Sequence, residues 1–309
     1  MIKLSVIINT CKRSQQAREC IESVIQNNFK LYEIIVIEQK GTNDLQDWII
    51  RNSSSKVKYY DFSDKGGSFA NNLNFGIKKA KGKIIVFISD DCLASKNWLE
   101  QIYLSFQNNK SVMGLFGQVL PYNQRENKGK ICPCTFLKTK KKIIKKPTYH
   151  VKEIGYASNM SYKKEVFEKN GGFREWLGPG TTVYAAEDAE FAMRLLLRGD
   201  RILYNPSVRV YHNRWITEEK MRKQLLFYNC GEVACYGYYA FLGKKFAGKI
   251  VKNNFKSSYK NFLKSLKLIL SFKRYGLKLF SYAVEDLYFK TRGFLTAFYY
   301  FKVKTKKCL

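Results

Sequence analysis

The stretch Ile84-Ile85-Val86-Phe87-Ile88-Ser89-Asp90-Asp91-Cys92 decides the fold, because an unbroken apolar, β-branched run ends in two adjacent carboxylates. The run lacks the alternation of a half-exposed strand and reads as a strand buried on both faces of a parallel sheet. Acids at the carboxyl end of such a strand stand at the mouth of the sheet, where open α/β folds bind ligands. Two carboxylates there cost desolvation unless a positive partner joins them, and a hard divalent cation is the usual one. The pair therefore points to metal-assisted chemistry on a phosphate-bearing substrate.

Working outward, the first hundred residues alternate strand and helix. Strands are expected at Leu4–Asn9, Glu33–Glu38, Val57–Phe62 and from Ile84. Helices are expected after Ser14, with Ala17, Ile21, Val24 and Ile25 inward, from the Lys40-Gly41-Thr42-Asn43 turn to about Asn52, from Ser68 to Ala80, and after Ser95. Ser14, Ser68 and Ser95 are the candidate helix caps. This order implies a mostly parallel sheet flanked by helices. Residues 123–150 break the rhythm: they are polar, carry six lysines between Lys138 and Lys146, and read as a mobile basic loop or insertion. Beyond it a helix is expected around Lys163–Lys169 and another from Glu187, then strands at Arg201–Tyr204 and Val208–His212.

The chain of 309 residues has 45% hydrophobic residues, enough for a large core, and a formal charge of +30. More than half of that excess lies in residues 214–309, where 21 Lys/Arg face 5 Asp/Glu. A surface so basic attracts polyanions. Nucleic acid is not the expected partner, because the basic residues form no known recognition module and the aromatics follow helical or strand periodicity. The chain thus divides into a catalytic domain, 1–213, and a basic, aromatic, helical C-terminal region, 214–309. Within the latter, Phe255, Tyr259, Phe262, Leu266 and Ile269 recur at helical spacing beside six lysines from Lys249 to Lys267. The segment Lys249–Lys273 suits either an anionic membrane surface or a helix docked on the domain. Charges interrupt both Leu225–Leu242 and Phe280–Phe301, so neither is a spanning segment. Eight scattered cysteines and the absence of a secretory leader point to a reducing cytoplasmic setting, with peripheral attachment to the inner face of the cell membrane. Cys132-Pro133-Cys134 is too tightly spaced for a zinc pair.

A second acidic cluster, Ala186-Glu187-Asp188-Ala189-Glu190, opens a helix after the flexible Gly178-Pro179-Gly180-Thr181-Thr182. Acids at a helix start complement its dipole, and a carboxylate there that faces a cleft is also a credible general base. His212 ends an apolar strand and is balanced between a structural and a ligand role; His150, on the basic loop, has no comparable argument.

These blocks together resemble the GT-A-fold glycosyltransferases of the large inverting family 2, of bacterial type. Ser5-Val6-Ile7-Ile8-Asn9-Thr10-Cys11-Lys12-Arg13 resembles the family's opening strand, and Glu33 to Asp44 its second strand and turn. Asn74-Phe75-Gly76-Ile77, Ala80-Lys81-Gly82, Asp90-Asp91, Gly171-Gly172-Phe173-Arg174-Glu175, Glu187-Asp188 and the run from Gly199 through Pro206 to His212 follow in the family's order, so the likeness spans residues 2–212. The resemblance implies a sugar transfer from a nucleoside-diphosphate sugar, a UDP- or dTDP-sugar foremost, to a hydroxyl of a glycan or lipid-linked glycan, as in polysaccharide biosynthesis. It implies that Asp91 binds Mg2+ or Mn2+, with His212 as a further metal or phosphate contact. Asp90 is implied to contact metal-bound water, ribose or diphosphate, and Thr10, Arg13 and Glu38 to line the nucleoside pocket. Asp188 is implied as the base and Glu187 as orienting the acceptor or the base. Glu38, Gln39, Lys40 and Ser89 depart from the family pattern, which leaves the nucleotide open and Asp91 as the main metal ligand. The alternative from another class is a non-catalytic basic binding protein on the same scaffold.

Overall fold

The structure, a computed structural model, describes residues 2–41, 44–52, 55–62, 67–147, 153–273 and 275–306. Thr42, Asn43 and His150 of the sequence reading lie outside them. The chain divides into two compact units, one of Met1–Arg174 with Asp188–Glu218, the other of Glu175–Glu187 with Glu219–Leu309.

In the first unit the elements β1 (Leu4–Cys11), α1 (Ser14–Ile25), β2 (Tyr32–Gln39), α2 (Asp44–Asn52), β3 (Val57–Asp61), α3 (Phe69–Lys79) and β4 (Ile84–Ile88) alternate strictly. Their strands lie in the order β3-β2-β1-β4 and pair in parallel. β1 and β4 are buried almost throughout, as their unbroken apolar runs require. β1 leads through α1 to a neighbour on one side, whereas β4 arrives on its other side. The order reverses between them, and a crevice at the carboxyl ends of β1 and β4 follows.

The sheet continues with β5 (Cys92–Ala94), α4 (Trp98–Asn108), β6 (Val112–Pro121), β7 (Lys142–Ile144), β8 (Asn159–Lys163), α5 (Glu165–Asn170), α6 (Glu187–Leu197) and β9 (Arg201–His212). From β4 the order runs β8-β6-β9-β5, with β7 also on β9. Here only β6 and β9 are parallel, so the described sheet is parallel in its first half and mixed in its second.

Several details differ from the sequence reading. The two strands expected before His212 are one. Pro206 supplies no N–H to the ladder, and the register shifts from Gly117↔Asn205 to Gln118↔Arg209, but the chain continues past this bulge in the same direction. Residues 123–147, expected as a mobile loop or insertion, carry ordered structure. Phe136 and Ile144 are buried, Val119 bridges Phe136, Ile131 bridges Ile216, and β7 joins the sheet while its Lys142 stays in water. Of the three serine caps, Ser68 accepts the Asn71 N–H at 3.3 Å, but Ser14 lies inside α1. The open N–H of Leu99 in α4 is taken by Asn27 Oδ1 at 2.9 Å, and Ser95 bonds instead to Asn97.

The second unit is built on three long helices, α7 (Glu218–Phe241), α8 (Lys245–Leu270) and α9 (Gly276–Lys306). Its core joins Leu177 and Val183 to Cys230 and Ala234, with Tyr184 stacked on Phe227 and Trp176 on Tyr300. Phe255 and Phe262 of α8 turn toward α9, whereas Tyr259 is exposed. Among the described residues no helix is long and apolar enough to cross a membrane.

Candidate active site

The crevice predicted by the strand order is where the acids meet their partners. After β1 the chain turns sharply at Lys12, whose φ of +56° is a conformation few non-glycine residues adopt. That turn brings Arg13 back over the sheet end. Its Nη1 lies 3.1 Å from Asp90 Oδ1 and 3.1 Å from Asp91 Oδ2, while Thr10 donates to Asp90 Oδ2 at 2.8 Å. Burial and the neighbouring Asp91 charge push the Asp90 carboxyl up to about 6, against the pull of Arg13 and Thr10. Burial would raise Asp91 too, but the bond from His212 and the charges of His212, Arg13 and Arg214 hold it below the usual carboxylate range.

His212 closes the far side. β5 pairs with the end of β9 so that Cys92 lies opposite His212, and the His212 Nε2 stands 3.3 Å from Asp91 Oδ1. Its Nδ1 is 2.6 Å from the Pro133 carbonyl. A contact that short to an acceptor requires the proton on Nδ1, which leaves Nε2 to face the carboxylate. A carbonyl holding one ring nitrogen so that the other can bind a cation is a common arrangement at metal sites. Burial alone would lower the His212 imidazole; its bond to Asp91, then the Cys132 thiol, outweigh this and lift it to about 10. Asp91 Oδ1, Cys92 Sγ and His212 Nε2 thus form a buried donor set whose atoms lie within 4.8 Å of one another. The set fits a divalent cation, with one oxygen, one nitrogen and one sulfur donor.

Sequence reasoning missed Cys92 and the Cys132-Pro133-Cys134 segment as parts of this site. Cys132 donates to the His212 carbonyl at 3.4 Å, Pro133 orients the ring, and Cys134 holds a φ of +56°. The adjacency of Cys92 to Asp91 was available in the sequence; the return of residues 132–134 to the end of β9 was not.

Asp188 stands in the first turn of α6 and is half-buried. Its Oδ2 accepts from Ala157 N–H at 3.0 Å and its Oδ1 from Ala189 N–H at 2.7 Å. Burial nonetheless raises its pKa, the two N–H groups only partly opposing. Burial, then Cys134 and Asp188, push the Tyr156 hydroxyl up to about 12. Ala186, just before α6, has a φ of +81°, a strain of the kind kept where a side chain must be aimed. Glu187 packs against Gly178, where an added Cβ would come within 2.8 Å of Glu187 Oε2.

Glu38 is placed apart from the acid cluster. It is paired in register with Thr10 across β1 and β2, yet its Oε2 accepts from Tyr59 at 2.8 Å, and Gly41 packs against its carboxyl carbon. Burial raises its pKa, and among the described residues its Oε1 has no hydrogen-bond partner. So the structure joins Thr10, Arg13, Asp90, Asp91 and His212, and leaves Glu38 and Asp188 on separate networks.

Comparison with known proteins matches this arrangement to one family. The model of glycosyl transferase family 2 matches residues 5–171, and the chain belongs to that family. It is a glycosyltransferase with a GT-A fold. It is 24% identical over 220 residues to the glucosyl-dolichyl phosphate glucuronosyltransferase of Haloferax volcanii, covering 68% of this chain and 69% of that one. It is 24% identical over 283 residues to the GalNAc(5)-diNAcBac-PP-undecaprenol beta-1,3-glucosyltransferase of Campylobacter jejuni, covering 87% and 89%. An uncharacterized glycosyltransferase of Rickettsia felis is 36% identical over 109 residues, which is 35% of this chain and 18% of that protein. Among solved structures, a mannosyltransferase from Pyrobaculum calidifontis in complex with GDP-Man and Mn2+ shares the fold at a TM-score of 0.60 and 13% identity, over 95% of this chain and 87% of that one. S. aureus TarS in complex with UDP-GlcNAc does so at 0.57 and 16%, over 99% and 92%.

Proposed function

We propose that the protein transfers a sugar from a nucleoside-diphosphate sugar to a hydroxyl of a glycan or lipid-linked glycan, inverting the anomeric carbon in a single displacement. The observation that carries this reading is the Asp91–Cys92–His212 donor set, flanked by Arg13 and lying at the sheet's reversal of strand order. A lipid-linked acceptor is favoured because the Haloferax and Campylobacter relatives are named for dolichyl and undecaprenol substrates. A UDP- or dTDP-sugar is the proposed donor, residues 1–213 the catalytic region and 214–309 an accessory helical one.

Asp91 and His212 are the proposed ligands of Mg2+ or Mn2+, and Cys92 places a third donor within reach. The bound cation would offset the charge of the departing diphosphate. Arg13, which now neutralises both acids, is free to pair with a phosphate oxygen once a cation neutralises them instead. Asp90 is proposed to contact metal-bound water, ribose or diphosphate, and Thr10, Arg13 and Glu38 to line the nucleoside pocket. An acceptor hydroxyl is a weak acid, so a carboxylate must take its proton as the new bond forms. Asp188 is proposed for that role, with Glu187 orienting the acceptor or Asp188 itself. The lysine face of α8 is proposed to meet an anionic membrane surface, peripheral on the cytoplasmic side. A transfer assay over a panel of nucleotide sugars and metals, comparing wild type with Asp188→Asn, tests the scheme. Metal-dependent donor cleavage lost in the variant is expected; full activity of the variant removes Asp188 as the base.

A further inference from the structure

Residues 245–284 contain nine lysines, one arginine and no acid. The described residues among them form α8, the turn after it and the start of α9. The two helices run antiparallel as a hairpin, with Phe255 against Phe294 and Phe262 against Phe280 at centroid distances of 6.1 and 5.3 Å. Halfway along, buried Lys290 donates to Asp286 Oδ2 at 2.8 Å and to Ser258 Oγ at 2.7 Å. The seam between the helices is therefore filled and its polar groups are paired.

The closed end of the hairpin is different. Leu270 is 78% exposed, Phe272 97% and Leu277 70%, and Tyr275 is also exposed. Phe272 sits at a φ of +51°, so the chain turns there in a conformation unfavourable to a bulky residue, with the ring in water. Lys267, Lys273 and Lys278 are exposed around it. A large apolar patch rimmed by charge marks an interaction site.

The chemistry of the patch selects its partner. A second copy of the chain would bring two lysine-rich, acid-free surfaces together, and their repulsion opposes the contact. A nucleic acid would use the lysines but give Leu270 and Leu277 nothing to bury against. An anionic bilayer uses both features, since apolar side chains enter the headgroup–acyl boundary while lysines pair with lipid phosphates. We propose that the turn between α8 and α9 inserts Leu270, Phe272, Tyr275 and Leu277 into an anionic membrane, with the lysines of α8 held at its surface. This deepens the membrane-surface reading given above and rests on it, but not on the transfer chemistry.

Co-sedimentation of the full chain with phosphatidylcholine vesicles, with and without phosphatidylglycerol, tests the proposal. Two variants are compared with wild type, Phe272→Asp with Leu277→Asp, and Lys264→Gln with Lys267→Gln and Lys273→Gln. Wild type is expected to bind the phosphatidylglycerol vesicles about tenfold or more tightly than the neutral ones. Each variant is expected to lose about tenfold or more of that binding, added salt to act like the lysine changes, and thermal midpoints to stay as in wild type. A tip variant that binds like wild type while the lysine variant does not would overturn insertion and leave the surface reading standing. Wild type that ignores both vesicles overturns both. Loss of a wild-type dimer in the tip variant, or tight oligonucleotide binding, without vesicle binding would assign the patch to that partner and overturn the proposal. Donor cleavage in solution reports separately on the transfer reaction.

Discussion

Arg13 bonds two carboxylates with one nitrogen, and the acids beside it carry opposite shifts, Asp90 up and Asp91 down. Asp91 is thereby the firmer anion of the pair and Asp90 the readier proton acceptor. Asp188 obeys a different rule. Burial raises its folded pKa above the ordinary value of 3.8. In its proposed role as base Asp188 works only when ionised, so the acid limb of kcat/KM should lie above the range of a free aspartate, measured by a pH–rate profile. The linkage has the matching sign. Between its unfolded and folded pKa the native state binds the extra proton, so this group's contribution to stability falls as pH rises through that window. Asp188→Asn is expected to lower kcat by about 100- to 10,000-fold, and because its single amide oxygen can accept only one of the Ala157 and Ala189 N–H groups, the thermal midpoint at neutral pH is expected to fall despite the relief of a buried charge. Cys92 supports a second prediction. A sulfur donor suits softer cations than an all-oxygen set. Cys92→Ser should shift the ratio of Mn2+ to Mg2+ affinity toward Mg2+, measured by metal titration without substrate, and an unchanged ratio would exclude the thiol as a ligand. Asp90 and Asp91 were legible in the sequence because they end an apolar run. The Pro133 carbonyl that fixes His212 was not, since nothing local in residues 132–134 points 79 positions ahead.

At the scale of elements, α6 aims Asp188, and a buried ion network holds α6. Glu190 is fully buried and takes Arg174 Nε at 2.6 Å and Arg194 at 2.9 Å, and Arg194 also caps the Asn170 and Gly172 carbonyls. Removing the one acid leaves two largely buried guanidinium groups facing each other. Glu190→Ala is expected to cost about 3–5 kcal/mol in chemical denaturation, more than either arginine pairing would suggest from its Coulomb gain. Gly172 beside it has another constraint, as an added Cβ would lie 2.1 Å from Asn74 Oδ1, the atom that accepts the Phe173 N–H. Two blocks recognised separately in the sequence, around Asn74 and around Gly172, are thus halves of one contact. The strands were readable because burial on both faces leaves an unbroken apolar run. The caps were less so. Ser68 caps its own helix within three residues, but Asn27 reaches α4 from 72 positions away. Pro206 read as a strand break because its missing N–H is a local fact, whereas the bulge that carries β9 past it depends on β6.

For the whole molecule, charge separates a basic helical region from the rest, but packing draws the boundary elsewhere. Leu177 and Val183, both fully buried, lie in residues 175–187 and pack with Cys230 and Ala234 of α7, while Tyr184 stacks on Phe227 at 4.3 Å. Gly231 lets α7 approach this segment, since a Cβ there would come within 2.7 Å of the Ala185 carbonyl oxygen. No local pattern in residues 175–187 could reveal partners some fifty positions later, so composition alone placed the division at residue 213. A chain ended at 213 keeps residues 175–187, a strap over α7, and loses the core they pack into. Exposing Leu177 and Val183 would cost about 1.5–3 kcal/mol each, before the aromatic stacking is counted. The strap also carries Ala186, whose strained backbone persists only while its surroundings enforce it. The truncated chain is therefore expected to be cleaved by protease within 175–187 at low enzyme ratios and to bind a hydrophobic dye, while the full chain resists both. Equal resistance of the two chains in limited proteolysis would show that the strap folds without its helices.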